Sequence, residues 1–267
     1  MKLRIAVVLA AFAIAGFASA QTSPKVKSLN PPPKTLLLVG NSFFYFNDSM
    51  HRFVGGLVAA GAPELRGQYR ATSVTISGSG LNWHDMEGYL KPGSGMASYS
   101  FTADNKVVFN TFDKPFEAVI MNDCSQCPIH PQLKGLFHEF ARKHSETVVK
   151  RGAKPILFMT WAYSDMPEMT AQLAEQYTIA GNANDALVIP AGLAFARSVS
   201  KNPSLNLYNP DKRHPSLAGS YLGAATIYAA IYGKSPAGLK YTGGLDEKTA
   251  AFLQDIAWET VREYYGR

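Results

Sequence analysis

Thr35-Leu36-Leu37-Leu38-Val39-Gly40-Asn41-Ser42 is the stretch on which the reading of this chain turns. Its apolar part is too short for a buried helix and is closed by glycine, as a strand covered on both faces would be. Just before it stand Pro31, Pro32 and Pro33. Three consecutive prolines fit neither a helix nor a central strand. Residues 21–33 therefore read as a Pro-rich linker, and residues 34–267 as one domain of ordinary single-domain size.

Working outward, similar short apolar runs recur at residues 73–76, 118–121, 156–159 and 187–189. Helical patterns separate several of them. Residues 50–60 place Phe53, Val54, Leu57 and Val58 at helical spacing, and residues 133–149 gather Leu133, Leu136, Phe137, Phe140 and Ala141 on one side. Residues 166–180 carry a weaker third pattern, and 217–232 and 246–264 close the chain as helices. Strands alternating with helices specify an α/β fold whose parallel sheet is covered on both faces. Between these units, residues 99–102 and 106–109 flank Ala103-Asp104-Asn105 and read as a small inserted hairpin.

The N-terminus has the make-up of an export signal. Lys2 and Arg4 are followed by an apolar core over 5–17 and by Ala18-Ser19-Ala20, a small-residue cleavage site that would leave Gln21 first. Residues 1–20 are thus expected to be removed, leaving a bacterial periplasmic or secreted protein with no stable membrane insertion. The formal charge of +6 falls to +4 with that signal, is spread along the chain and forms no Lys/Arg block, which speaks against nucleic acid. Cys124 and Cys127 are the only cysteines. They fit one local bridge or two packed thiols in an oxidising compartment. A redox switch or a thiol–disulfide catalyst is the alternative use of such a pair. No second CxxC and no HxxxH completes a zinc site, and His138-Glu139 is followed by Arg142 where HExxH needs histidine. No metal or organic cofactor is expected.

In open α/β sheets ligands bind beyond the carboxyl ends of the strands. That rule selects Gly40-Asn41-Ser42, the Ser77–Gly80 turn, Asn122-Asp123 and the loop before Pro215. A serine hydroxyl is a weak nucleophile until a base takes its proton. Asp211-Lys212-Arg213-His214 supplies such a base, because a carboxylate three residues before an imidazole can hold one ring nitrogen while the other faces outward. Pro215 and Ser216 then mark the start of the helix at Leu217. The order Ser, Asp, His comes without the GxSxG elbow of α/β-hydrolases. His84, beside the second block, reads as a packed or exposed structural histidine, with a place lining the pocket as the alternative. Phe43, Phe44, Tyr45 and Phe46 crowd the nucleophile either as ligand-facing aromatics or as core.

These blocks resemble the SGNH (GDSL-like) hydrolase superfamily, in a bacterial variant with Gly-Asn-Ser in place of Gly-Asp-Ser. The likeness spans residues 35–235 and includes SGSGLNWH at 77–84, VIPAGLAF at 188–195 and YNPDKRHPSLAG at 208–219. It implies a three-layer α/β/α, flavodoxin-like fold with a five-stranded parallel sheet. It also implies Ser42 as nucleophile, Asp211 and His214 as its acid–base pair, and an oxyanion hole from the N–H groups of Ser42 and Gly78 and the amide of Asn122. Gly80 is the alternative to Gly78, and Ile120 stands where the third block usually carries glycine. The activity implied is ester hydrolysis without cofactor, on a small-molecule or polysaccharide ester, with O-acetylated carbohydrate the leading substrate. Lipid or simple acyl esters, and a non-hydrolytic carbohydrate-binding or acyl-transfer protein on the same fold, are the rivals.

Overall fold

A computed structural model describes residues 22–94, 96 and 99–267. The expected signal, residues 1–20, lies outside the described residues. Five parallel strands form the central sheet: β1 (Thr35–Gly40), β2 (Arg70–Thr75), β5 (Ala118–Met121), β6 (Lys154–Phe158) and β7 (Leu187–Ile189), in the order β2-β1-β5-β6-β7. A separate antiparallel pair, β3 (Tyr99–Phe101) and β4 (Val107–Phe109), is the inserted hairpin.

Strand alternation sorts the core into two layers. Leu36, Leu38, Ile120, Ile156, Phe158 and Ile189 face one way, onto α2 (Met50–Gly61), α6 (Ala191–Lys201), α7 (Leu217–Tyr232) and α8 (Glu247–Tyr265). Leu37, Val39, Val119, Met121, Leu157 and Val188 face the other, onto α3 (Met86–Leu90), α4 (Lys134–Lys150) and α5 (Met169–Ala183). The chain therefore has the three-layer α/β/α architecture with five parallel strands and a small hairpin.

Local chemistry explains the helix ends. Ser216 caps α7 by accepting from the Gly219 N–H at 3.2 Å, and Gly233 ends it at φ 62°. Asp246 caps α8 by accepting from Thr249 N–H at 2.9 Å. Helix α7 is buried almost all round because it packs among α2, α6 and α8. Two elements differ from the sequence expectation. Strand β2 begins at Arg70 rather than 73, since an edge strand that is only half-buried along its length needs no apolar run. Helix α6 follows Pro190 directly; proline ends β7 and also opens a helix.

Residues 22–33 form no helix or strand, as their prolines require, yet they lie against the body. Thr22 Oγ1 donates to Glu175 at 2.6 Å, and Lys25 N–H and Ser23 C=O both bond the Asn182 amide, at 2.7 and 2.9 Å. Val26 and Leu29 pack on the core. No helix among the described residues is long and apolar enough to cross a membrane.

Candidate active site

The strand order reverses between β1 and β5: the chain runs from β1 out to β2, then returns past β1. Such a switch point leaves a crevice beyond the carboxyl ends of the strands, and the residues selected from the sequence all lie around it. Asn41 caps the short helix α1 (Ser42–Tyr45) and places Ser42 at its first turn. Ser42 is nearly buried, and its Oγ lies 2.8 Å from Nε2 of His214, across 172 residues of sequence. His214 Nδ1 is hydrogen-bonded to Asp211 Oδ2. The second Asp211 oxygen accepts from the N–H groups of Arg213 and His214, each at 2.9 Å.

The Asp211–His214 loop is a closed unit. Asn209 N–H donates to His214 C=O at 2.8 Å, Ser216 N–H to Leu207 C=O at 2.9 Å, and Lys212 adopts a left-handed φ of 66°. Burial pulls the Asp211 carboxyl up, but hydrogen bonds from the His214 ring and from two backbone N–H groups outweigh it and hold its pKa down, at about 2. The carboxylate is thus ionised and aimed at the ring.

Aromatic rings fix the imidazole in place. Phe46 stacks on His214 with centroids 4.3 Å apart, and Phe43 meets its edge at 5.8 Å. Phe43 in turn stacks on Trp161, which stacks on Phe195. Trp161 Nε1–H donates to Arg213 C=O at 2.9 Å, one residue before the histidine. Of the four aromatics after Ser42, Phe43 and Phe44 are core, while Tyr45 is exposed and Phe46 half-buried.

The other site residues are joined through Asn41. Its amide donates to Ser79 C=O at 2.9 Å and Asp123 C=O at 3.1 Å, and its Oδ1 accepts from Phe43 N–H and from the Asn122 amide at 3.2 Å. Asn122 is wholly buried, with its Oδ1 unpartnered among the described residues. Gly40 makes room for it: a Cβ at residue 40 would lie 1.5 Å from Asn122 Oδ1. Close approach, rather than a sharp turn, is what calls for glycine there. Gly78 sits at φ 71° on an exposed turn, a conformation that favours glycine, whereas Gly80 is buried with its Cα beside Asp123. The N–H groups of Ser42 and Gly78 have no acceptor among the described residues.

Ser79 and Asp123 form the floor. Ser79 Oγ donates to Gly40 C=O at 3.2 Å, so His84 Nε2, 3.0 Å away, donates to Ser79. Burial, with His144 nearby, brings the His84 pKa down to about 4, and the neutral ring packs as a structural histidine. Asp123 accepts from the N–H groups of Leu81 and Cys124, each at 2.8 Å, but burial outweighs them and raises its pKa to about 6. A disulfide joins Cys124 to Cys127 immediately after this block. Among the described residues no group of three or more His, Cys, Asp or Glu is placed to hold a metal ion.

Sequence reading missed three residues that hold the site together. Asn47 donates to Pro215 C=O and Ser220 Oγ, both at 2.8 Å, and so ties the loop after Ser42 to the one after His214. Ser125, inside the disulfide loop, bonds Tyr163 OH at 2.6 Å, and the Arg213 guanidinium lies 4.5 Å from the Tyr163 ring centroid. Only the run Asn47-Asp48-Ser49, all at left-handed φ between 55° and 70°, carries a local hint, since asparagine and aspartate tolerate that conformation.

No protein-family profile matches the sequence, and no curated protein does. Solved structures do. A putative SGNH hydrolase from Slackia heliotrinireducens superposes with TM-score 0.55 at 20% identity, over 74% of this chain and 98% of that one. A DUF4886 family protein from Bacteroides uniformis gives 0.53 at 16%, over 84% and 93%. A catalytic mutant of an acetylxylan esterase from Geobacillus stearothermophilus gives 0.52 at 16%, over 78% and 96%. At these identities the likeness establishes the fold and nothing finer: the chain has the fold of the SGNH (GDSL-like) hydrolases.

Proposed function

We propose that this protein is an exported serine esterase of the Gly-Asn-Ser kind that cleaves carboxylic esters through an acyl-enzyme, with O-acetyl groups on carbohydrate as its substrates. The observation that carries the reading is the contact of Ser42 Oγ with His214 Nε2 at 2.8 Å, backed by the Asp211 carboxylate on the other ring nitrogen. His214 takes the Ser42 proton as Oγ bonds to the carbonyl carbon. Asp211 stabilises the imidazolium. The developing oxyanion is held by the free N–H groups of Ser42 and Gly78. The Asn122 amide, which donates to Asn41 Oδ1 at 3.2 Å and to Asp123 C=O at 3.4 Å, adds a third donor by exchanging the longer of these bonds for the oxyanion. His214 then protonates the departing alcohol, and water repeats the sequence to release the acid and restore Ser42.

The choice of acetylated carbohydrate rests on two supports. The N-terminal signal implies work outside the cytoplasm, and an acetylxylan esterase is among the proteins that share this fold. Acetate release from a panel of acetylated sugars and acyl lipids tests the reading, alongside labelling by a fluorophosphonate. Wild type is expected to label and to release acetate from the sugars. Ser42→Ala is expected to lose labelling and roughly three orders of magnitude or more of turnover. A folded wild type that neither labels nor releases acid would leave a binding protein on this fold.

A further inference from the structure

A cavity of about 260 Å³ adjoins the proposed oxyanion turn. Its walls include Gly78, Asn82, Trp83, Leu136 and the disulfide of Cys124 and Cys127. Gly78 lines this cavity and is also the proposed oxyanion donor, so the cavity adjoins the place proposed for the ester carbonyl. Trp83 is 59% exposed, an unusual position for the largest side chain. It is not loosely held. The turn that carries it is anchored at Leu81, whose side chain is buried. Leu81 N–H donates to Asp123 at 2.8 Å and its C=O accepts from His144 Nε2 at 2.8 Å. A rigid base thus presents an indole to solvent at the wall of this cavity, which Asn82 also lines.

We propose that this cavity is a sugar-binding subsite, with the Trp83 indole as the platform for one pyranose ring and Asn82 as a hydrogen-bonding partner for its hydroxyls. A sugar ring offers an apolar C–H face bounded by hydroxyls, and it matches an aromatic plane flanked by an amide that both donates and accepts. An acyl chain has no use for the amide. The proposal rests on Ser42 being the nucleophile, and it adds where the alcohol half of the substrate is recognised. It assigns Trp83 to binding and specificity, not to the chemistry at Ser42.

The test compares wild type, Trp83→Ala and Trp83→Phe on acetylated xylo-oligosaccharide, p-nitrophenyl acetate and p-nitrophenyl octanoate. For Trp83→Ala, kcat/KM on the oligosaccharide is expected to fall about ten-fold more than on p-nitrophenyl acetate, chiefly through KM, with Trp83→Phe recovering most of the loss. An equal fall on the two acetates would overturn the subsite. A larger fall on the octanoate would overturn it in favour of an acyl pocket. Calorimetric titration of Ser42→Ala with the same oligosaccharide separates this proposal from the esterase reading. If wild type cleaves no ester but binding is seen and is weakened by adding Trp83→Ala, the esterase reading falls, and with it the role of the cavity as a substrate subsite, while sugar binding at Trp83 stands. Binding that is absent, or indifferent to Trp83→Ala, would overturn the subsite.

Discussion

Asn41 makes four hydrogen bonds that gather the loops after β1, β2 and β5. Two of them are donations to carbonyl oxygens, which a carboxylate cannot make. That is a physical reason for Gly-Asn-Ser, and not Gly-Asp-Ser, in this arrangement. Next to it, Asp123 creates a pH dependence with a definite sign. Its folded pKa of about 6 lies above the usual carboxylate value of 3.8, so between those limits the folded state binds more protons than the unfolded one. Its contribution to stability therefore grows as pH falls from 6 towards 4. His84, held at about 4 instead of 6.5, acts the opposite way, since its folded form resists the proton. Wild type minus Asp123→Asn is expected to shift in favour of wild type by about 2 kcal/mol between pH 7 and 4.5, read as a difference in thermal midpoints. A difference independent of pH would contradict the buried, proton-binding carboxyl.

At the scale of elements, the site is a set of loops pinned to one another. The run Asn47-Asp48-Ser49 holds three successive positive-φ residues, and the two bonds from Asn47 to the start of α7 fix it in place. The disulfide loop is tied in from the other side. Ser125 bonds Tyr163, Tyr163 lies against Arg213, and Ser164 N–H donates to Lys212 C=O at 3.0 Å. The loop next to Asn122 and the loop carrying His214 thus share one support. Replacing Cys124 and Cys127 by serine removes a short covalent loop, expected to cost about 2 kcal/mol. The midpoint should drop by several degrees, with a several-fold fall in turnover as Ser125 loosens. Unchanged midpoint and turnover would show that the bridge supports neither.

Across the whole molecule, one of the two core layers reaches the site at Trp161. It sits just past the end of β6, stacks between Phe43 and Phe195, and holds the Arg213 carbonyl. Trp161→Phe keeps an aromatic but strands that carbonyl, a loss of roughly 1–3 kcal/mol. Thermal melts should show the lower midpoint, and steady-state kinetics a fall in kcat larger than any rise in KM, because His214 loses its fixed approach to Ser42. Equal kcat in a destabilised variant would confine Trp161 to packing. The layers themselves were legible in the chain. The apolar runs at β1, β5, β6 and β7 are buried on both faces, and such strands declare themselves by composition. Edge strand β2, half solvated, shows only in part as an apolar run, and α6, which opens directly after Pro190, has no helical pattern among those read from the sequence.

What the sequence determined by itself was the four buried strands, the longer helices apart from α6, the inserted hairpin, and the residue types able to take a proton from a hydroxyl, because these follow from local periodicity and side-chain chemistry. Only the tertiary structure decided that residues 172 apart share a hydrogen bond, that Asn41 joins three loops, and that Asn47, Tyr163 and Ser125 matter. Those facts depend on the order in which strands lie side by side. No local pattern records that order, since it is set by how two apolar layers close over one sheet.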